Sequence, residues 1–552
     1  MEKIKEKIKA INKKISLVEI IVILLLLFAG MMGTILTIDI DDLDIMWVFS
    51  FSSKIAEGAT PYLDYNMVIT PLSSQITAFF LNIFGNTMMV SAFLGAIYGS
   101  LIFLFQYLIL RKMNISIKTS IVVTVAFFMA LSNNMWDTYN TLAYLLVYIT
   151  IFIQICKIRY DKYVKITNKE KYVLKEKNKI TYSMAYNIVT GILLGLIVIT
   201  KQNIGAVAIL AITIYYFAKW IFKQTTFKNV FSQLCIMAIF CLIVVDIELI
   251  YLLLTGALYS FLDYTVFGLN SFANKVGGNL FTSIFSTGTL LPGSLKIQLM
   301  QVFSNMFVWA RNIALIFSFA FLLIMIITKL LNKMNVKNKV DINEMILSFC
   351  FMFVGLVISI PLANTYHLKL TAGMIIFLGL INILKIIPLS KWLRKSISKV
   401  SCYIMLLIPL VVGISYLSVY FTCAYKSQIP SFKNMYISST TEQKINDTVR
   451  YIQQYEEKNG HRLYVISSRS AVYANVMNRN NGIFDLPQYG NLGEEDYMAV
   501  INKLDSMNDF SVMVYKNQSS LFWQEPKEIR QYIMDNYEYV EDFDIYSVYY
   551  KP

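Results

Sequence analysis

The sequence predicts a polytopic α-helical membrane protein of about eleven spans, closed by a small α/β domain on the outer side of the membrane. Three observations carry this reading. Hydrophobic residues fill 56% of the 552 positions, and the mean hydropathy of +0.55 is one that an ordinary soluble globule does not have. Lysine and arginine gather in alternate connectors between the apolar runs. From Ser427 onward the chain turns polar and alternates helical with strand-like patterns.

The first apolar run, 17–38, is long enough at about 1.5 Å per residue to cross a hydrocarbon core of about 30 Å. It lacks a small-residue cleavage site, so it reads as a retained span. Residues 1–14 before it form a Lys-rich amphipathic lead. Further apolar runs stand at 89–110, 117–131, 142–156, 188–199, 204–222, 231–254, 312–327, 345–360, 370–387 and 402–421. The cationic connectors contain Arg111 and Lys112, the run from Lys157 to Lys179, Lys219 to Lys228, Lys329 to Lys339, and Lys385 to Lys399. All fall on one face, the face shared with the N-terminus, and basic residues bias that face to the cytoplasm. The connectors 38–88, 132–141, 200–203, 255–311 and 361–369 then face outward, and the odd count puts the C-terminus outside as well. The chain divides into a membrane unit, 1–422, with long outer loops at 38–88 and 255–311, and an outer α/β unit, 423–552.

Other classes fit poorly. The net charge of +14 is spread over short clusters between apolar runs, where it sets orientation, and no nucleic-acid partner is expected. The six cysteines lie mostly within apolar runs and form no CxxC pair. They read as core filler, with neither a disulfide framework nor a thiolate metal site.

Within the first outer loop, Ile45, Val48, Phe49, Ser52, Ile55 and Ala56 recur at helical spacing beside Trp47. This predicts a helix lying along the membrane surface, with Trp47 at the headgroups and Gly58 and Pro61 ending it. A second apolar stretch, 75–84, is expected at the surface too. In the C-terminal unit the patterns predict helices over 442–457, 494–507 and 525–536, and strands over 463–467, 510–515 and 537–550.

The chemistry is expected where the acids are. Asp39, Asp41, Asp42 and Asp44 stand directly after the first span, and Asp64 follows. Like charges this close repel unless cations or donors approach. Carboxylates at a membrane surface suit a reaction in which a hydroxyl attacks a sugar carbon that carries a phosphate leaving group. One acts as general base, and Asp41 with Asp42 offers oxygen ligands to a divalent metal. The leaving phosphate needs positive charge or N–H donors. On the outer face these come from Lys201 with Gln202, Arg311, Lys275 and His367, while Tyr62, Asp64 and Asp137 are substrate-binding candidates. Competing structural readings stand beside these. Lys201–Gln202–Asn203 reads equally as a plain turn, Asp137 as a helix cap, and His367 as hydrogen-bonded filler. Asp246 and Glu248, inside an apolar run, point in different directions at a spacing of two. His461 reads as a surface residue, and the turn Gly490–Asn491–Leu492–Gly493 is a weak phosphate-cradle signal.

One family matches these pieces in order. Asp44, then Ala56, Gly58, Pro61–Tyr62–Leu63–Asp64 and Thr70–Pro71–Leu72, resembles the first outer loop of the polyprenyl-phosphate-sugar-dependent glycosyltransferases of the GT-C superfamily. The chain is similar in particular to the bacterial branch that resembles protein O-mannosyltransferases and the lipid A aminoarabinose transferase. Thr200–Lys201–Gln202–Asn203–Ile204–Gly205, Gly256–Ala257–Leu258 with Phe261 and Tyr264, the connector from Pro361 to His367, and the C-terminal unit with Gly490–Asn491–Leu492–Gly493 extend the likeness over nearly the whole chain. The resemblance implies inverting transfer of a sugar from a polyprenyl-phosphate donor, made on the cytoplasmic side and flipped, to an outer glycan, lipid or protein acceptor. The setting would be cell-surface glycan modification. The family's first-loop Asp falls on Asp44, or on Asp42 if the register slips. Members often carry a second acid directly after it, where this chain has Ile45. A transporter or flippase of lipid-linked sugars, with Asp246 and Glu248 as coupling groups, is the alternative from another class.

Overall fold

The computed structural model describes residues 15–35, 43–169, 176–269, 302, 309–320, 323, 342–360, 365–386, 426–517 and 526–552. The described membrane unit is helical almost throughout. Its helices are α1 (Leu17–Ile35), α2 (Leu43–Ala56), α3 (Leu72–Phe84), α4 (Met88–Lys112), α5 (Ile117–Leu131), α6 (Tyr139–Lys169), α7 (Glu176–Val198), α8 (Gln202–Ile221), α9 (Phe227–Leu254), the short α10 (Leu258–Leu262), α11 (Ile342–Val357) and α12 (Thr365–Ile386). Residues 309–320 are helical as well.

Five described helices are long and apolar enough to cross a membrane: Met88–Lys112, Tyr139–Val164, Gln202–Ile221, Phe227–Leu254 and Tyr366–Ile383. Shorter apolar helices stand at Leu17–Met32, Ile117–Leu131, Tyr182–Val198 and Asn343–Val357. The span expected at 402–421 and the boundary expected at 422 lie outside the described residues.

Packing joins these helices through small residues and buried polar ties. A Cβ on Gly191 would stand 2.4 Å from Met237 O, and one on Gly195 would stand 2.8 Å from Cys241 O. The two glycines, four apart on one face of α7, therefore let α9 approach backbone to backbone, the small-residue device of helices in lipid. Arg111 donates to Glu19 at 2.9 Å, tying α4 to α1. Arg159 on α6 pairs with the buried Glu344 on α11 at 2.6 Å. An unpaired charge at such depth would be costly, so these pairs fix which helices are neighbours.

The helix over 43–56 differs from expectation. It forms, but Ile45, Met46, Trp47, Val48, Phe49 and Phe51 are all buried, so it is enclosed and Trp47 does not sit at an interface. Its lid is the C-terminal unit: Phe49 meets Phe432 at a ring separation of 6.5 Å. Ser50, Ser52, Ser53 and Lys54 on its remaining faces are buried as well, so the helix is covered all round. The stretch expected at 75–84 extends to α3, which buries Ser73, Ser74, Thr77, Ala78 and Leu81.

The C-terminal unit contains α13 (Ser439–Asn459), α14 (Ser470–Val476), α15 (Tyr497–Asp505) and α16 (Lys527–Asn536), with β1 (Leu463–Val465), β2 (Phe510–Tyr515), β3 (Glu538–Phe543) and β4 (Tyr546–Lys551). The strands form one sheet in the order β1-β2-β4-β3. β1 runs parallel to β2, and β4 runs antiparallel to both β2 and β3. The stretch expected as one strand over 537–550 is a hairpin, turned at Asp544, whose φ is 47°. His461 is largely enclosed, its Nε2 2.8 Å from Ser511 Oγ, so the expected surface position is corrected.

Candidate active site

The turn between α7 and α8 organises one end of the helical unit. Lys201, Gln202 and Asn203 each reach a different neighbour. Lys201 Nζ donates to Asn140 Oδ1 at 2.6 Å and lies 5.1 Å from the centre of the Tyr139 ring. Gln202 donates to the carbonyl of Thr265 at 3.2 Å. Asn203 donates to the carbonyl of Ile360 at 3.2 Å. Two outer connectors expected from the sequence, and the end of the apolar run 345–360, are thus held by three consecutive side chains.

His367 joins the same cluster. Its Nε2 stands 3.3 Å from Asn140 Nδ2. An ammonium only donates, so Lys201 draws the oxygen of the Asn140 amide and turns the NH2 toward His367. Nε2 is then the acceptor, and a neutral His367 carries its proton on Nδ1. Tyr366 and Thr138 flank the cluster, their hydroxyls 3.2 Å apart. Lys201 and His367, nominated separately from two short connectors, are brought together through Asn140, which the sequence did not single out. Asn140 sits one residue after Tyr139 at the head of α6, and its only signal was a run of polar residues at the mouth of an apolar helix.

The other nominated residues have these places. Asp44 stands in the first turn of α2, while Asp41 and Asp42 lie outside the described residues. Among the described residues no three His, Cys, Asp or Glu side chains converge as a metal site. Asp64 is exposed, its Oδ2 accepting the Thr60 N–H at 2.7 Å, which closes the turn that carries Tyr62 at φ 70°. Tyr62 is buried, donates to the Ile69 carbonyl at 2.7 Å and meets Phe261 edge-on at 5.2 Å. Asp137 is buried, and its Oδ2 accepts from Thr77 at 2.9 Å and from Ser91 at 2.8 Å. Burial raises its carboxyl to about 7, with the Ser91 and Thr77 hydroxyls opposing. It therefore bridges α3 and α4. Arg311 is fully buried and donates from Nε to Asn312 at 2.9 Å. Lys275 lies outside the described residues. Glu248 faces inward and accepts from Gln75 at 3.0 Å, whereas Asp246 is exposed.

The connector after α2 lies against both the helical unit and the sheet unit. Leu72 N–H donates to Ile199 at 3.2 Å, and Thr70 donates to Val198 at 3.4 Å, so it abuts the α7–α8 turn. From the other side, Asn66 donates to the carbonyls of Leu486 at 2.7 Å and Asn491 at 2.9 Å. Asn491 Oδ1 accepts the Val68 N–H at 3.2 Å. Lys54 pairs with Asp485 at 2.6 Å, both almost fully buried. The turn 490–493 is thus a clamp on this connector. Gly493 has φ +71°, and a Cβ there would fall 2.2 Å from Asp263 Oδ2, while Asp263 Oδ1 accepts the Glu494 N–H at 3.0 Å.

A polytopic helical membrane protein, with a cluster of lysine, amide and imidazole at one helix turn and a sheet unit locked over the first connector, is the class that this fold and site define. No family model and no curated protein matches the sequence. The fold is that of ArnT from Cupriavidus metallidurans: its crystal structure in the apo state aligns over 96% of this chain and 97% of that one, with a TM-score of 0.50 and 10% identity. A crystal structure of ArnT bound to undecaprenyl phosphate aligns over the same shares at 10% identity, with a TM-score of 0.48. At this identity the likeness is one of fold.

Proposed function

We propose that this protein is a membrane glycosyltransferase that moves a sugar from a polyprenyl-phosphate donor to an acceptor on the outer side of the membrane, with inversion at the sugar carbon. The reading is supported above all by the Lys201–Asn140–His367 cluster. A cation is placed there by a neutral amide and an aromatic ring, an arrangement suited to an anionic group.

In the reaction proposed, an acceptor hydroxyl attacks the anomeric carbon. Asp44, or Asp42, takes the hydroxyl proton as general base, a contribution typically of about 10²–10⁴ in rate. The new C–O bond forms as the bond from carbon to the phosphate oxygen breaks, and the electron pair leaves with polyprenyl phosphate. Lys201 compensates the charge of that phosphate, with Gln202 and Arg311 as further donors. His367 holds the Asn140 amide in the orientation that presents its oxygen to Lys201. A divalent metal, if used, would be held by Asp41 and Asp42 through oxygen, and no step here depends on one. Tyr62, Asp64 and Asp137 act on substrate through the connectors they shape.

The orientation proposed puts residues 1–14 in the cytoplasm and the C-terminal unit outside, following the lysine and arginine bias. The sheet unit, clamped to the first connector, contributes to acceptor binding. The fold shared with ArnT supports the reading, since a solved ArnT holds undecaprenyl phosphate. Membranes containing the full chain, incubated with a panel of labelled polyprenyl-phosphate sugars with and without chelator, test it. Release of polyprenyl phosphate with labelling of an outer acceptor is expected. Sugar-lipid crossing the bilayer intact, with no transfer, would point to a flippase instead.

A further inference from the structure

A cavity of about 1030 Å³ opens at the opposite end of the helical unit, between α6, α7, α8 and the start of α9. Two of the residues at its floor, Asn187 and Gln233, are held from behind by Lys157. This side chain is buried and donates to Asn187 Oδ1 at 2.5 Å, to the Tyr216 hydroxyl at 2.7 Å and to Gln233 Oε1 at 2.5 Å. The Tyr216 hydroxyl in turn donates to Gln154 Oε1 at 3.2 Å, and the Gln154 NH2 donates to Thr190 Oγ1 at 2.7 Å.

Because the ammonium has no lone pair, both amides at the floor must turn their oxygens toward it. Each is left with its NH2 for the cavity that Asn187 and Gln233 both line. Lys219 and Lys223 stand on the wall, and Thr226 caps α9 by accepting the Asn229 N–H at 3.4 Å, so the positive end of a 28-residue helix faces the same space. Asp161, 3.7 Å from Lys219, is the carboxylate among the lining residues. Donors and cations dominate the rest, the pattern that recognises a phosphate.

The rim points to where that phosphate comes from. Phe217, Trp220, Phe227 and Phe231 are all exposed and follow one another at ring separations of 6.3 Å, 5.3 Å and 6.3 Å. The ladder runs from the cavity mouth onto the exposed apolar flank of α9, where Ile239, Leu242 and Ile243 continue it. A free anion has no use for such a flank, whereas the acyl chains of a lipid do. This end also carries the lysine-rich connectors, and in the orientation proposed above it lies at the cytoplasmic leaflet, where anionic lipids concentrate.

We propose that this cavity binds the phosphate of an anionic phospholipid, with the headgroup over Asn187 and Gln233 and the acyl chains along the aromatic ladder. The site is separate from Lys201 and does not rest on the transferase reading. The test uses the purified full chain in neutral detergent, titrated with short-chain phosphatidylglycerol, short-chain phosphatidylcholine, or sodium phosphate at matched ionic strength, and reads the unfolding temperature.

Phosphatidylglycerol is expected to raise it and to bind at least about fivefold more tightly than phosphatidylcholine, on the order of one lysine's contribution. Lys223→Glu should abolish that preference while leaving the lipid-free unfolding temperature within a few degrees. Trp220→Ala should weaken both lipids alike. Equal binding of the two lipids, or a preference untouched by Lys223→Glu, would overturn the proposal. So would sodium phosphate reproducing the whole shift, which would make the ligand a soluble anion.

Discussion

Lys201 Nζ and Asn140 Oδ1 stand 2.6 Å apart, and this one contact fixes the amide, the histidine tautomer and the place of a cation at once. Changing Asn140 to Asp would put a carboxylate against the ammonium and neutralise it. Asn140→Asp is expected to weaken binding of the proposed polyprenyl phosphate about tenfold or more, since a charge-assisted contact contributes roughly 1.5–3 kcal/mol. Lys201→Ala should lose a similar amount, and Lys201→Arg less. Affinity unchanged in both Asn140→Asp and Lys201→Ala, by calorimetry in detergent, would remove the cluster from donor binding.

The buried pair Lys54–Asp485 joins α2 to the sheet unit across 431 positions of sequence. Removing one partner strands a charge in the interior, at a cost of about 3–5 kcal/mol. Lys54→Met alone should therefore lower the unfolding temperature sharply, and Lys54→Met combined with Asp485→Leu should recover most of the loss. If the double variant is as unstable as the sum of the singles, the two residues are not paired.

Asp137 gives the pH dependence a sign. Its carboxyl is raised by burial from 3.8 to about 7, so between these values the folded chain holds a proton that the unfolded chain has released. The contribution to stability is full below pH about 4 and is lost as pH rises through about 7, by up to roughly 4 kcal/mol at about 1.4 kcal/mol per unit. Asp137→Asn keeps an acceptor for Thr77 and Ser91 and should flatten the fall in unfolding temperature over that window. An identical slope in the variant would place the titration elsewhere.

Gly493 tests the clamp. Gly493→Ala forces a side chain into a left-handed backbone and against Asp263, and should loosen the sheet unit from the first connector, exposing residues 59–68 to protease. Asp263→Ala relieves the contact and should restore part of the protection when combined with it. Protection unchanged in Gly493→Ala would show that the turn does not hold the connector.

What the sequence disclosed follows from distance along the chain. The helix at 117–131 and the strand at 510–515 match the sequence reading to the residue, because each has a local apolar pattern, with Ser116 and Ser132 flanking the helix and Asp509 preceding the strand. Lys201 and His367 were legible because short polar connectors between long apolar runs leave few candidates. Their meeting through Asn140, and the pairing of Lys54 with Asp485, depend on segments that come together only in the fold. The enclosure of α2 was missed for the same reason. Its residues have an apolar period that suits a membrane surface equally well, and only the distant Phe432 and α14 decide between the two. The hairpin at Asp544 was read as one strand because its turn is a bare Asp–Ile pair without glycine.

The central claim is that a lipid-linked sugar is transferred at the outer end of these helices, with Asp44 as base. Turnover of labelled undecaprenyl-phosphate sugar by proteoliposomes bearing Asp44→Asn measures it most directly, with circular dichroism as the check on folding. Loss of about a hundredfold or more in rate, with donor affinity retained, is the predicted result; turnover at the parent's rate by the folded variant would contradict the account.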